Sequence, residues 1–265
     1  MPEDSFDIVV IGSGTGGYSC ALRAAQLGKK VALVERDNRL GGTCLLRGCI
    51  PTKALLQSAA VMDEINRSEE FGVTASGKAN WPKVLEFKTK VVDKLVSGLT
   101  GLVKARKIEV VNGTGRLAGP GTVEVEGDGG KRTLKANDIV VATGSYAKLL
   151  PGLEVTDRII TSDQALELDR IPSSVVVIGA GAVGLEFASI YRSLGAEVTL
   201  VEALDRLAPL EDEAISKEVA RTFGKRGIDA HAGAEVKEVA GTGTTVSVTF
   251  ASGADDQTVE ADVCL

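Results

Sequence analysis

The sequence predicts an α/β fold in which a doubly wound, mostly parallel sheet is written twice along one chain. Three observations carry this. A glycine-rich turn joins a β-branched run to a helical pattern at residues 12–17, and again at 179–184. The separation from the first glycine to an acid closing the next strand is 23 residues in both copies, Gly12 to Glu35 and Gly179 to Glu202. Glycine is abundant, 31 of 265 residues, and aromatics reach only 4 %, which suits many tight strand-to-helix turns. The length fits one to two domains, and 44 % hydrophobic residues are enough for real cores.

In the first copy, residues 7–11 (DIVVI) form a β-branched run that reads as a buried parallel strand. It leads into Gly12-Ser13-Gly14-Thr15-Gly16-Gly17. A helix follows to Leu27 and is ended by Gly28. The next strand, 31–34, is closed by Glu35. Strand, GxGxxG, helix, strand, acid is the order a dinucleotide site requires. Gly12 permits the tight turn, Gly14 lets the backbone approach a pyrophosphate, and Gly17 lets the helix pack closely. The pyrophosphate would sit on the helix N-terminus. Glu35 would accept hydrogen bonds from a ribose diol. In the second copy a strand at 175–178 meets Gly179, Gly181 and Gly184, placed for the same three roles. Its helix runs to Leu194 and ends at Gly195, and the strand 198–201 is closed by Glu202. One GxGxxG is weak. Two in full context at equal spacing outweigh the alternative of ordinary glycine-rich turns.

Between the copies, residues 52–67 and 81–107 read as helices. From 109 to 142 the period shortens, with punctuation at Gly113, Gly119-Pro120-Gly121 and 127–130, which predicts a short antiparallel meander. Residues 138–145 (DIVVATGS) read as a buried strand opening into a glycine turn. Pro151 and Pro172 flank a linker-like stretch. The expected boundary lies near Lys148, giving domains 1–148 and 149–265, each with a short antiparallel meander.

Residues 41–53, GGTCLLRGCIPTK, hold Cys44 and Cys49. A close pair in a reducing compartment is more often metal-binding or redox-active than structural. Zinc wants a second paired ligand set, which this sequence does not offer, so no metal site is expected. That leaves a disulfide that opens and closes, against the bland alternative of two inert thiols. Residues five apart on a regular helix are displaced by roughly 7.5 Å along the axis. A disulfide wants Cα atoms about 4.4–6.8 Å apart. The pair therefore cannot share an undistorted helix. Gly48 can supply the break, Pro51 suits a first helical turn, and a thiolate at a helix start is stabilised.

Composition excludes other classes. Net charge is −6 with no basic block, so nucleic acid is a poor partner. No apolar run approaches membrane-spanning length. The N-terminal MPEDSF fits no targeting peptide, and the expected location is the cytoplasm.

Two dinucleotide folds with a cysteine pair after the first form a specific combination. The GGTCxxxGCIPTK segment, the ATGS turn at 142–145 and the GAGAVGLE segment at 179–186 resemble the flavoprotein pyridine nucleotide-disulfide oxidoreductases, most closely the dihydrolipoamide (dihydrolipoyl) dehydrogenases. The resemblance runs from Phe6 to the last residue. It implies two Rossmann-like, three-layer domains of the glutathione-reductase type, FAD in the first and NAD in the second. It implies that Cys49 faces the flavin and gives a charge-transfer complex when reduced, and that Cys44 is the interchange thiol. Lys53 would lie near the flavin N5 side with Glu186 as its partner; an acid in an apolar helix start wants a cation. Arg36, Gly42, Thr43, Gly115, Thr143, Gly144 and Ser145 would contact FAD, and Val236 the adenine of the pyridine nucleotide. Glu202 would repel the 2′-phosphate of NADP, which favours NAD. Arg206 is the nearby cation, read as a surface residue or a partner of Asp205.

The implied reaction is NAD-dependent oxidation of dihydrolipoyl groups on 2-oxo acid dehydrogenase acyltransferases by a homodimer. Alternatives are another disulfide reductase, mercuric- or glutathione-reductase-like, or a non-catalytic dinucleotide-binding module. The family completes catalysis with a His–Glu pair from a C-terminal interface domain. His231 matches no family motif, and residues 261–265 resemble the strand before further family segments, so the sequence reads as an N-terminal piece with a truncated second domain. Leu45-Leu46-Arg47 departs from the polar residue often found between the cysteines. Cys20 and Cys264 read as small buried apolar residues.

Overall fold

The structure is a computed structural model and describes residues 4–253 and 255–265. Within the N-terminal MPEDSF, residues 1–3 lie outside the described set. The chain divides into two compact units, residues 1–51 with 89–146, and residues 52–88 with 147–265. The contacts thus follow a more interleaved division than one cut near Lys148.

The first copy begins with β1 (Ser5–Ile11), α1 (Thr15–Gln26) and β2 (Val31–Glu35). Val9, Val10, Ala32 and Leu33 are fully buried, because a parallel strand covered on both faces has no polar side to present. Burying each of the Val and Leu side chains contributes about 1.5–3 kcal/mol. Two helices follow, α2 (Gly42–Arg47) and α3 (Cys49–Asn66), broken at Gly48. The second therefore starts three residues before the expected 52, with Pro51 inside its first turn, where proline costs no hydrogen bond. Next come α4 (Trp81–Ala105), β3 (Glu109–Asn112), β4 (Thr114–Gly119), β5 (Thr122–Gly127) and β6 (Gly130–Val141).

Here the structure corrects a detail of the meander. Only β4, β5 and β6 are antiparallel; β3 runs parallel to β2, so the six-stranded order is β3-β2-β1-β6-β5-β4. Periodicity shows that a strand exists but not its partner. A strand that follows long helices returns as a parallel crossover. Of the expected strand and turn at 138–145, residues 138–141 are the far end of β6 and are exposed or half-buried rather than buried, and 142–145 follow it outside the sheet. Residues 130–135 of this strand pair with β5, and 135–141 with β1.

The other unit contains α5 (Ser162–Ala165), β7 (Ser174–Ile178), α6 (Ala182–Ser193), β8 (Glu197–Glu202), α7 (Glu213–Lys225) and β9 (Asp229–Ala232). It closes with β10 (Val236–Gly241), β11 (Val246–Ser252), β12 (Asp255–Ala261) and β13 (Val263–Cys264). Strands β13-β7-β8-β9 form a parallel sheet, and β10-β11-β12 an antiparallel one. The core packs Phe187, Ile190 and Tyr191 of α6 with Val175, Val177 and Leu200. The linker-like stretch is not featureless: α5 is opened by a capping box between Thr161 and Gln164, and Ile159 bridges to Cys264. Among the described residues no helix is long and apolar enough to cross a membrane.

Candidate functional site

In the first unit the glycine turn is built by close approach. Gly12 has φ +100, and a Cβ there would lie 2.2 Å from the Ala142 carbonyl oxygen. A Cβ on Gly17 would lie 1.8 Å from the Gly12 oxygen. Only hydrogen fits at either place. Residues 142–145 thereby lie against the turn, and the Ala142 N–H donates to the Ile11 oxygen at 2.8 Å.

Glu35 is 7 % exposed. The Ser13 N–H and hydroxyl donate to its Oε2 at 2.8 and 2.6 Å, and the Asp37 N–H to Oε1 at 2.9 Å. A carboxylate has about four acceptor positions, so one stays open on Oε1 for a ribose hydroxyl. Gly115 stands over Ile11 and Val34, whose methyl groups would lie 3.1 Å from a Cβ placed there. Arg36 is exposed and lies 3.9 Å from Asp37.

The cysteine segment rests on the same turn. The Gly41 N–H donates to the Ser13 oxygen at 3.1 Å, and a Cβ on Gly42 would lie 2.5 Å from Gly14 Cα. The Thr43 hydroxyl donates to the Ser145 oxygen at 3.2 Å, joining two segments 102 residues apart. Cys44 sits within α2, and Cys49 opens α3 after the break at Gly48, which has φ −144 and ψ −113. Both are free thiols and are hydrogen-bonded to each other through their side chains. Burial pushes the Cys44 thiol up from its ordinary value, and so do the hydrogen bond and charge of Cys49. The Thr15 hydroxyl and the Cys49 backbone pull it down.

In the second unit Gly184 repeats Gly17: a Cβ there would lie 1.9 Å from the Gly179 oxygen. Gly179 and Gly181 would meet nothing within 4 Å, so the turn is an open cradle at the start of α6. Glu202 is 7 % exposed, and its Oε2 and Oε1 accept from the N–H groups of Ala180 at 2.6 Å and Leu204 at 2.8 Å. Each oxygen keeps one acceptor position. Gly179, Glu202 and Val236 line one cavity of about 470 Å³, a volume in the range of small-ligand sites. Lys53 donates through Nζ to Oε1 of Glu186 on α6.

Some groups stand apart. His231 lies on β9 with Nε2 bonded to Asp229 at 2.9 Å and its ring against Phe250. Cys264 is buried, and burial pushes its thiol up to about 12. Cys20, read from the sequence as buried, is half-buried on α1. Arg206 bonds neither Asp205 nor open solvent alone; its guanidinium donates to carbonyls of its own loop. Sequence reasoning passed over Ser13, Thr15, Asp37 and Ala180. Their signal is weak, since backbone groups and short hydroxyls acquire partners only when distant segments meet. Among the described residues no cluster of three or more His, Cys, Asp or Glu side chains could hold a metal ion.

Two glycine cradles, each with a buried acid, and a contacting thiol pair beside the first define a flavin- and pyridine-nucleotide-type disulfide oxidoreductase architecture. The chain belongs to the pyridine nucleotide-disulphide oxidoreductase family, which it matches over residues 6–265. Members of this family use FAD and NAD(H). The chain is 43 % identical to dihydrolipoyl dehydrogenase of Bacillus subtilis, over 96 % of this chain and 56 % of that protein. It is 37 % identical to dihydrolipoyl dehydrogenase of Acholeplasma laidlawii, over 98 % of this chain and 77 % of that protein. Its fold superimposes on the HOCl-induced flavoprotein disulfide reductase RclA from Escherichia coli with a TM-score of 0.82 at 27 % identity, covering 98 % of this chain and 55 % of that one. The chain spans about half the length of most of the curated relatives it matches.

The residues present fit the family's cofactors. The first-turn N–H groups behind Gly14 and Gly181 have no capping side chain, and Glu35 and Glu202 keep acceptor positions.

Proposed function

We propose that this chain carries the FAD site, the redox thiols and the pyridine-nucleotide site of a dihydrolipoyl dehydrogenase, with residues 1–148 as the FAD-binding and 149–265 as the NAD-binding domain. The observation that carries this is the Cys44–Cys49 contact across the α2–α3 break, on the same turn that Glu35 and Gly12 shape.

Gly12, Gly14 and Gly17 admit the pyrophosphate of FAD, and Glu35 takes the ribose. Arg36, Gly42, Thr43, Gly115, Thr143, Gly144 and Ser145 complete that site. Gly179, Gly181, Gly184, Glu202 and Val236 take NAD. FAD supplies the two-electron relay between the thiol pair and NAD. One thiolate of a dihydrolipoyl group attacks Sγ of Cys44 in the Cys44–Cys49 disulfide, and Cys49 leaves as a thiolate. The second substrate thiol attacks the substrate sulfur of the mixed disulfide, which releases Cys44. Two protons and two electrons leave the substrate, and its own disulfide closes. Lys53, held by Glu186, places a positive charge one turn after Cys49 on α3. The partners are lipoyl domains of 2-oxo acid dehydrogenase acyltransferases, the parent protein is a homodimer, and the compartment is the cytoplasm.

A second reading, another flavin disulfide reductase, draws on the likeness to RclA. Its 26–27 % identity stands against 37–44 % to the dihydrolipoyl dehydrogenases. Trapping separates the readings. In Cys49→Ser, the Cys44 thiolate opens the disulfide of oxidised lipoamide, and alkylating the freed second substrate thiol blocks re-closure and leaves a mixed disulfide visible by mass. Glutathione disulfide forms its own mixed disulfide with Cys44 far more slowly. Adduct formation in Cys44→Ser, or a faster reaction with glutathione disulfide, would reject the proposal.

A further inference from the structure

The loop after Glu202 carries a consequence for nucleotide choice, and it rests on reading the second glycine turn as the pyridine-nucleotide site. Glu202 faces the cavity shared by Gly179, Ala203 and Val236. Arg206, four residues later, lines a different cavity, with Glu213, Ser216 and Lys217. Its Nη2 donates to the carbonyls of Pro209 at 3.1 Å and Glu211 at 3.3 Å. Turning it toward the ribose would abandon both bonds.

The loop is pinned at its centre. Ala208 has φ +48, a conformation costly for a residue with a Cβ, so the surroundings must hold it. Its N–H donates to the Ala180 oxygen at 3.0 Å, and its oxygen accepts from the buried Ser216 hydroxyl at 3.1 Å. Ala180 belongs to the glycine turn and gives its own N–H to Glu202. One residue of the cradle is therefore gripped by the acid on one side and by the loop on the other. The lysine lining Glu202's cavity, Lys237, is bonded to Asp256 at 2.5 Å, while Glu235 and Glu238 line the same cavity.

We propose that residues 203–211 are a specificity element that holds Arg206 away from the ribose cavity, so that rejection of a 2′-phosphorylated nucleotide does not rest on Glu202 alone. Arg206 is a positioning residue: it fixes the loop, the loop fixes Ala180, and Ala180 and Glu202 fix the cradle.

The test titrates the 265-residue chain with NADH and NADPH, followed by nucleotide fluorescence. The wild type binds NADH in preference to NADPH. Glu202→Ala weakens NADH about tenfold, narrows the preference and does not reverse it. Adding Arg206→Ala to Glu202→Ala weakens NADH and NADPH by the same factor, because both use the cradle and Arg206 reaches neither ribose. Arg206→Ala alone weakens NADH several-fold, and Arg206→Lys restores most of the loss. NADPH binding more tightly than NADH in Glu202→Ala, with the gain lost on removing Arg206, would overturn the inference. Unaltered NADH affinity in Arg206→Ala would also overturn it. A wild-type chain that bound neither nucleotide would reject the underlying site reading, and the inference with it.

Discussion

At Cys44 opposed influences meet on one sulfur. Burial and the neighbouring Cys49 raise its pKa, and the Thr15 hydroxyl lowers it. The net shift is upward from the ordinary thiol value. The reduced fold therefore favours the protonated form, and whatever stability this contributes is present below the ordinary value and lost as pH rises through the raised one. Cys49→Ala removes both upward influences of that side chain. It should speed alkylation of Cys44 at pH 8 and move the midpoint of its rate–pH profile down. Thr15→Val should move it up, and Thr15→Ser should restore it. A profile insensitive to residue 15 would remove Thr15 from the site. Cys264, with a thiol near 12, should resist the same reagent in the native protein and react only after unfolding.

At the level of elements, each strand-to-helix turn depends on the absence of one side chain. A methyl on Gly184 would fall 1.9 Å from a carbonyl oxygen of its own turn, and one on Gly17 would fall 1.8 Å from the equivalent atom. Neither neighbour is a flexible side chain that can swing away. Gly184→Ala should destabilise the protein by about 1–3 kcal/mol or more, as overpacking does. Gly16→Ala, where nothing lies within 4 Å, should cost little. Urea unfolding of the two variants checks the contrast, and equal stabilities would contradict the packing account. These glycines were legible by spacing alone, because the same steric demand recurs wherever a strand feeds a helix over a phosphate. The partner of β3 was not legible. Four residues, Glu109–Asn112, suit a parallel or an antiparallel neighbour, and only the crossover through α4 selects β2.

For the molecule as a whole, the proposed chemistry needs a base that accepts the substrate dithiol's proton, and a positioned base typically contributes about 10²–10⁴-fold. The chain has one histidine, and His231 is occupied by Asp229 and Phe250 on β9. Dihydrolipoamide–NAD turnover by the 265-residue chain should therefore fall by that order below its longer relatives. His231→Ala should leave any residual rate unchanged. Relative-like turnover, or its loss on replacing His231, would refute this.

The sequence by itself determined the α/β class, the two glycine cradles and their acids, and the thiol pair with its helix break. Each of these is a local demand: a turn that excludes Cβ, a strand buried on both faces, a spacing no regular helix allows. Tertiary structure alone decided what each local group meets. It brought Ser13 to Glu35, Thr43 to Ser145, and Arg206 to the carbonyls of its own loop rather than to the ribose cavity. Hydrogen-bond partners are chosen by which backbone and side-chain groups arrive within about 3 Å after the sheets close, and a linear pattern of residue types does not contain that distance.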